Sequence, residues 1–98
     1  MAVQQFSITQ DADGTFRFKG EVTIHNIEYL KGFLDTTSAR SKKITLDMAD
    51  VSYVDTASLQ LLIAFRKSQK AKAKFEIRNV SRELNTLLEI SGLKKFLL

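Results

Sequence analysis

The chain contains no cysteine, no proline and no tryptophan, and among its 98 residues there are one histidine and four glycines. Without cysteine there is no disulfide framework and no thiol chemistry, and a single histidine removes nearly every common zinc site. Gly14, Gly20, Gly32 and Gly92 are too scattered to match either common spacing of a phosphate-cradling loop, so a familiar nucleotide enzyme is not expected. Missing prolines mean few forced breaks in secondary structure. No run approaches the ~20 apolar residues that cross a bilayer. Met1-Ala2-Val3-Gln4-Gln5 has neither the basic segment nor the apolar stretch of a signal peptide. A soluble, cytoplasmic chain without direct membrane insertion is expected.

What is present fits one folded domain over residues 1–98, since 44% hydrophobic and 27% charged residues are ordinary for a globular chain of this length. Fifteen Lys and Arg against eleven Asp and Glu give a net charge of +4. Lys67, Lys70, Lys72 and Lys74 crowd the end of an expected helix, and Lys94 and Lys95 lie near the chain end. No aromatic residue is interleaved among the first four to make a base-stacking platform, so a solvated face and no nucleic-acid partner are expected.

Hydrophobic periodicity supplies the element order. Residues Gln4 to Gln10 and Thr15 to Val22 alternate, with Phe6, Ile8, Phe16 and Phe18 facing in, and Asp11-Ala12-Asp13-Gly14 between them turns the chain into a hairpin. Asp11 and Asp13 resemble the start of a calcium loop, but Phe18 and Gly20 stand where further ligands are needed. Thr23 or Asn26 caps a first helix with a stripe of Ile24, Ile27, Leu30 and Leu34, which frays over Thr36–Ser41 because hydroxyls compete with helical hydrogen bonding. Lys43 to Met48 alternates as a third strand, followed by a short polar loop. From Thr56 to about Ala71 runs a helix so apolar, through Ala57, Leu59, Leu61, Leu62, Ile63, Ala64 and Phe65, that it must touch something on two sides. Lys74 to Arg78 forms a fourth strand. Ser81 caps a third helix carrying Leu84, Leu87 and Leu88, Gly92 stops it, and the tail Leu93 to Leu98 is apolar enough to pack back.

Helices between the later strands imply parallel pairing with right-handed crossovers, and the hairpin adds an antiparallel piece. The expected fold is α/β: an open mixed sheet of four to five strands, with helices mainly on one face because each strand keeps a polar side.

Two places carry candidate chemistry. His25 stands at a helix start with no nucleophile or carboxylate fixed around it by sequence, so an enzyme built on it has almost no support. Asp55-Thr56-Ala57-Ser58 is different, for it puts hydroxyls in the first turn of a helix. Asp55 or Thr56 can cap that helix by accepting a free backbone N–H. The same N–H groups and the helix dipole would also stabilise an added phosphate, although the Asp55 carboxylate beside it is repulsive.

Ile44-Thr45-Leu46-Asp47-Met48, then Val51, then Val54-Asp55-Thr56-Ala57-Ser58-Leu59 resemble the signature of the STAS family, which includes bacterial anti-sigma factor antagonists. Gly20-Glu21-Val22-Thr23 resembles that family's second strand end, and Leu87-Leu88-Glu89-Ile90-Ser91-Gly92-Leu93 its closing helix, so the likeness spans nearly the whole chain. It implies a non-enzymatic regulatory protein with no cofactor and no metal. In that family the Ser or Thr after the helix-starting Asp is phosphorylated by a cognate serine/threonine kinase, often itself the anti-sigma factor, and restored by a phosphatase, and the resemblance implies that this residue is Thr56 here. Asp47, Asp55, Thr56, Ala57 and Ser58 would then make or border the partner-binding surface. Ser58 departs from the family's usual glycine and brings a second hydroxyl. Family members with Thr at this place also include subunits bound to the ATPase of a phospholipid ABC transporter, and others serve chemotaxis or two-component systems, so those are the alternative settings.

Overall fold

The computed structural model describes residues 5–41, 43–68 and 74–98; Met1, Ala2, Val3, Gln4, Lys70, Ala71 and Lys72, named above, lie outside them. Strand β1, Ser7–Gln10, is shorter than its alternation suggested and pairs antiparallel with β2, Phe16–Val22. Gly14, at φ +91°, closes the turn between them, and the Asp13 carboxylate accepts the Thr15 N–H at 2.9 Å. Phe6, ahead of β1, is nevertheless buried, edge-on to Phe18 at 5.3 Å.

A single 3-10 turn, Ile24–Asn26, leads into α1, Ile27–Arg40. Neither Thr23 nor Asn26 caps through its side chain. Leu30, Leu34 and Thr37 form the buried stripe, while Ile24 is 59% exposed and does not belong to it. The expected fraying over Thr36–Ser41 does not occur. Thr37 is buried on the same face as Leu34, and Ser38 donates its hydroxyl to the Asp35 carbonyl at 3.1 Å, so packing and local bonding outweigh the poor helix propensity of this run.

Strand β3, Lys43–Val54, is twice the expected length, and the polar loop anticipated after Met48 is strand. Against β2 it carries two irregularities, between the pairs Arg17↔Asp47 and Lys19↔Asp50 and between Gly20↔Val51 and Glu21↔Tyr53. Each inserts an extra residue on β3 and rotates the following side chains, so Val51 and Val54 both reach the core although they are three positions apart. That spacing is invisible to a search for strict alternation.

Helix α2, Thr56–Ser68, returns the chain to β4, Lys74–Arg78, which pairs parallel with β3. Asn79, at φ 54°, turns it into α3, Arg82–Ser91. Ser81 caps α3 as expected, accepting the Leu84 N–H at 3.1 Å, and its hydroxyl also donates to the Val51 carbonyl of the bulged strand. Gly92 ends α3 at φ 72°, and the tail folds back as a short helix α4, Lys94–Leu97, whose Leu97 is wholly buried.

The sheet has four strands in the order β1-β2-β3-β4. Both parallel crossovers step the same way, so right-handed connections place α1 and α2 on one face, where the two helices meet each other. A single apolar core, including Phe18, Leu30, Ile44, Leu46, Leu62, Leu84 and Leu97, lies beneath the helices. The second side of α2 is met within the chain, by α1 and α4. On the other face Arg17 pairs with Asp11 at 3.1 Å and Arg78 with Glu76 at 2.5 Å.

Candidate functional site

Asp55 sits between the end of β3 and the start of α2, and its position is set from three directions. Its N–H donates to the Val22 carbonyl at 3.0 Å, which continues the β2–β3 pairing by one residue. Its Oδ1 accepts the Ser58 N–H at 2.9 Å, the bond of a helix cap. Its Oδ2 accepts the Ile24 N–H at 2.7 Å, from the 3-10 turn that opens α1. Of the two possible caps, Asp55 is therefore the one used. One carboxylate ties the starts of two helices together.

Partial burial by itself would raise the Asp55 pKa, but the N–H groups of Ser58 and Ile24, with His25 nearby, hold it below the ordinary carboxylate value. The group is an anion at neutral pH with both oxygens engaged.

Thr56 is the first residue of α2 and is exposed, Ala57 is half-buried, and Ser58 is fully buried. The N–H groups of Thr56 and Ala57 belong to the first helical turn, where no intrahelical acceptor exists, so they remain available to an anion on the Thr56 side chain. Ser58 does not line this surface. A serine where the signature has glycine turns its side chain into the core, which corrects the expectation that it borders a docking face or offers a second reachable hydroxyl.

Asp47 is placed elsewhere as well. It lies 7% exposed in the middle of β3, roughly 20 Å of strand before Asp55. Its oxygens accept the Ala49 N–H and the Asn79 side-chain amide, both at 3.0 Å. Burial would raise its pKa, yet those two donors and the charges of Arg17 and Arg78 lower it overall. Asp47 thus braces the first bulge of β3 against the turn into α3, and it does not border Thr56.

Two residues near Thr56 gave no functional signal in the sequence. Ile24, 59% exposed, and Tyr53, 41% exposed, flank Asp55 through its hydrogen bond and along β3. Ile24 falls on a helical period that reads as core, and Tyr53 lies in the segment read as loop. His25 is exposed beside them. Among the described residues no group of three acidic or histidine side chains could hold a metal ion, and no helix is long and apolar enough to cross a membrane.

Comparison with known proteins agrees with this architecture. The family model for the STAS domain matches residues 6–98. An anti-sigma factor antagonist from Mycobacterium paratuberculosis superposes with a TM-score of 0.71 at 15% identity, covering 93% of this chain and 80% of that one. The anti-sigma factor antagonist SpoIIAA in its unphosphorylated form gives 0.70 at 19% identity, covering 96% and 86%. The Bacillus cell fate determinant SpoIIAA in its phosphorylated form gives 0.64 at 19% identity, covering 96% and 89%. At these identities the structural likeness establishes the fold.

Proposed function

Because this chain belongs to the STAS domain family, we propose that it is a non-enzymatic bacterial regulatory module, akin to an anti-sigma factor antagonist, which docks a protein partner around Thr56. A partner kinase or anti-sigma factor binds the unmodified form, phosphorylation of Thr56 releases it, and a phosphatase restores binding. The observation that carries this reading is the contrast within one helical turn: Thr56 is exposed, while Ser58 is sealed in the core and Asp55 has both oxygens occupied. A single hydroxyl is offered to solvent on a rigid frame.

The chemistry is simple. The γ-phosphoryl group of ATP passes to the Thr56 hydroxyl oxygen, the hydroxyl proton goes to a base of the kinase, and ADP leaves. The product places about two negative charges beside the Asp55 carboxylate at a surface that was neutral at Thr56. The nearby N–H groups of the helix start stabilise the phosphate enough for it to persist, whereas a partner fitted to the neutral hydroxyl meets new charge and bulk. The exposed Ile24 and Tyr53 supply apolar contact next to it.

The reading is tested in the native host by recovering the chain with its partner and mapping phosphate by mass spectrometry. Label is expected on Thr56, with partner binding kept by Thr56→Ala and lost with Thr56→Glu. A complex that survives Thr56→Glu, together with no phosphate at this residue under any growth condition, rejects the switch.

A further inference from the structure

The exposed face of α2 does not stop at Thr56. Gln60 and Ala64 follow at four-residue steps and Lys67 one turn later, all exposed, so they lie on one side of the helix. Along that side α2 meets the folded-back tail, and between the two helices lies a groove of about 340 Å³ lined by Gln60, Ile63, Ala64, Lys67, Leu93 and Phe96. Its walls are apolar, and no acidic side chain is among the lining residues. Two ammonium groups lie by the Phe96 ring that forms part of its wall: Lys67 Nζ is 5.7 Å and Lys95 Nζ 5.2 Å from the ring centre. Neither is paired with a carboxylate among the described residues, whereas Lys94 already meets Glu89 at 3.8 Å.

We propose that this groove is the second half of the docking surface that begins at Thr56, and that it takes an acidic amphipathic helix of the partner protein. The inference rests on the reading of Thr56 as the docking centre and adds the chemistry of what docks. Apolar side chains spaced by one helical turn enter between Ile63, Ala64 and Phe96, and carboxylates flanking them meet Lys67 and Lys95. An isologous second copy fits poorly, because it would set these lysines against their own counterparts. An acidic partner also explains why phosphate at Thr56 ejects it: the partner's charges run along the same helix side as the new dianion and are repelled by it.

The test uses the full chain in its native host with a photoreactive phenylalanine analogue at position 60 or, separately, at position 24, followed by mass spectrometry of the crosslinked peptide. Position 60 is expected to capture a helical segment rich in Asp and Glu. In the same label background, Lys67→Glu with Lys95→Glu is expected to lower the yield at least about fivefold, and Lys67→Arg with Lys95→Arg to keep it. Should the Glu pair fail to fold by circular dichroism, Lys67→Gln with Lys95→Gln replaces it with the same expected direction. Capture at position 24 but not at 60 overturns the groove and leaves the Thr56 site standing, and capture at neither overturns both. A basic or uncharged segment, a lipid, or a second copy of this chain captured at position 60 overturns the inference, as does a yield indifferent to the lysine charge.

Discussion

The Asp55 carboxylate accepts the backbone N–H of Ile24 across 31 positions of sequence, at 2.7 Å, while its other oxygen caps its own helix at Ser58. The starts of α1 and α2, on the same face of the sheet, are thereby tied together beside Thr56. One carboxylate anchors both helix starts next to the exposed Thr56.

Removing that anchor has a graded cost. Asp55→Ala is expected to lower stability by about 1–2 kcal/mol, the range of a lost helix cap, with the second N–H placing it toward the upper end. Asp55→Asn keeps one acceptor oxygen and should fall between. Urea unfolding measures both. Chemical-shift changes after Asp55→Asn should reach Ile24 and His25 as well as α2, and shifts confined to α2 would contradict the bridge.

Acid should weaken the fold through Asp47 and Asp55. Both carboxylates are held below their ordinary value in the native state. Above the unfolded value of about 3.9 their stabilisation is fully present, and it is lost as pH falls through the lower native values. Asp47→Asn and Asp55→Asn should therefore be less stable than the unaltered chain at pH 7 and approach it below about pH 4. Unfolding curves between pH 7 and 3 check this, and parallel profiles would place the acid sensitivity elsewhere.

Kinase treatment separates the two hydroxyls of the first turn. Thr56→Ser should still accept phosphate, and Thr56→Ala should accept none even though Ser58 remains, because Ser58 is fully buried. Phosphate on Ser58 in the Thr56→Ala chain would require that α2 open at its start.

Ser81 links α3 to the bulged part of β3, donating to Val51 and accepting from Leu84. Ser81→Ala loses the cap and leaves a buried carbonyl without that donor, for an expected loss of about 1–3 kcal/mol. Thermal unfolding gives the value, and a change below a few tenths would show that the link carries little.

The tail belongs to the core. Leu97 is wholly buried against the helices, so Leu97→Ala should cost about 2–5 kcal/mol, comparable to other large-to-small core changes. The same substitution should disturb the groove between α2 and α4, since Leu93 and Phe96 are carried by the segment that Leu97 pins.

Much of this was readable in one dimension. Strict alternation around Asp11-Ala12-Asp13-Gly14 specifies the hairpin, the Ser81 cap and Gly92 stop delimit α3, and the order of periodic segments determines a mixed sheet with parallel crossovers, because these signals are local and each has a fixed period or a fixed chemistry. The likeness to the family signature from Ile44 to Leu59 singles out Thr56 as the proposed phosphoacceptor, a residue that is exposed in the fold. Tertiary structure decided the rest. The length of β3 depends on two bulges that exist only against β2, and the burial of Ser58 and Asp47 depends on what packs over them. Ile24 shows the limit most plainly: its spacing matches the buried stripe of α1, but a 3-10 turn sets it outside the helix and its N–H donates to a carboxylate at the end of β3, 31 positions on. Periodicity reports which residues share a face. Which face meets the core, and which polar group closes a helix start, is settled only by contacts between segments distant in the chain.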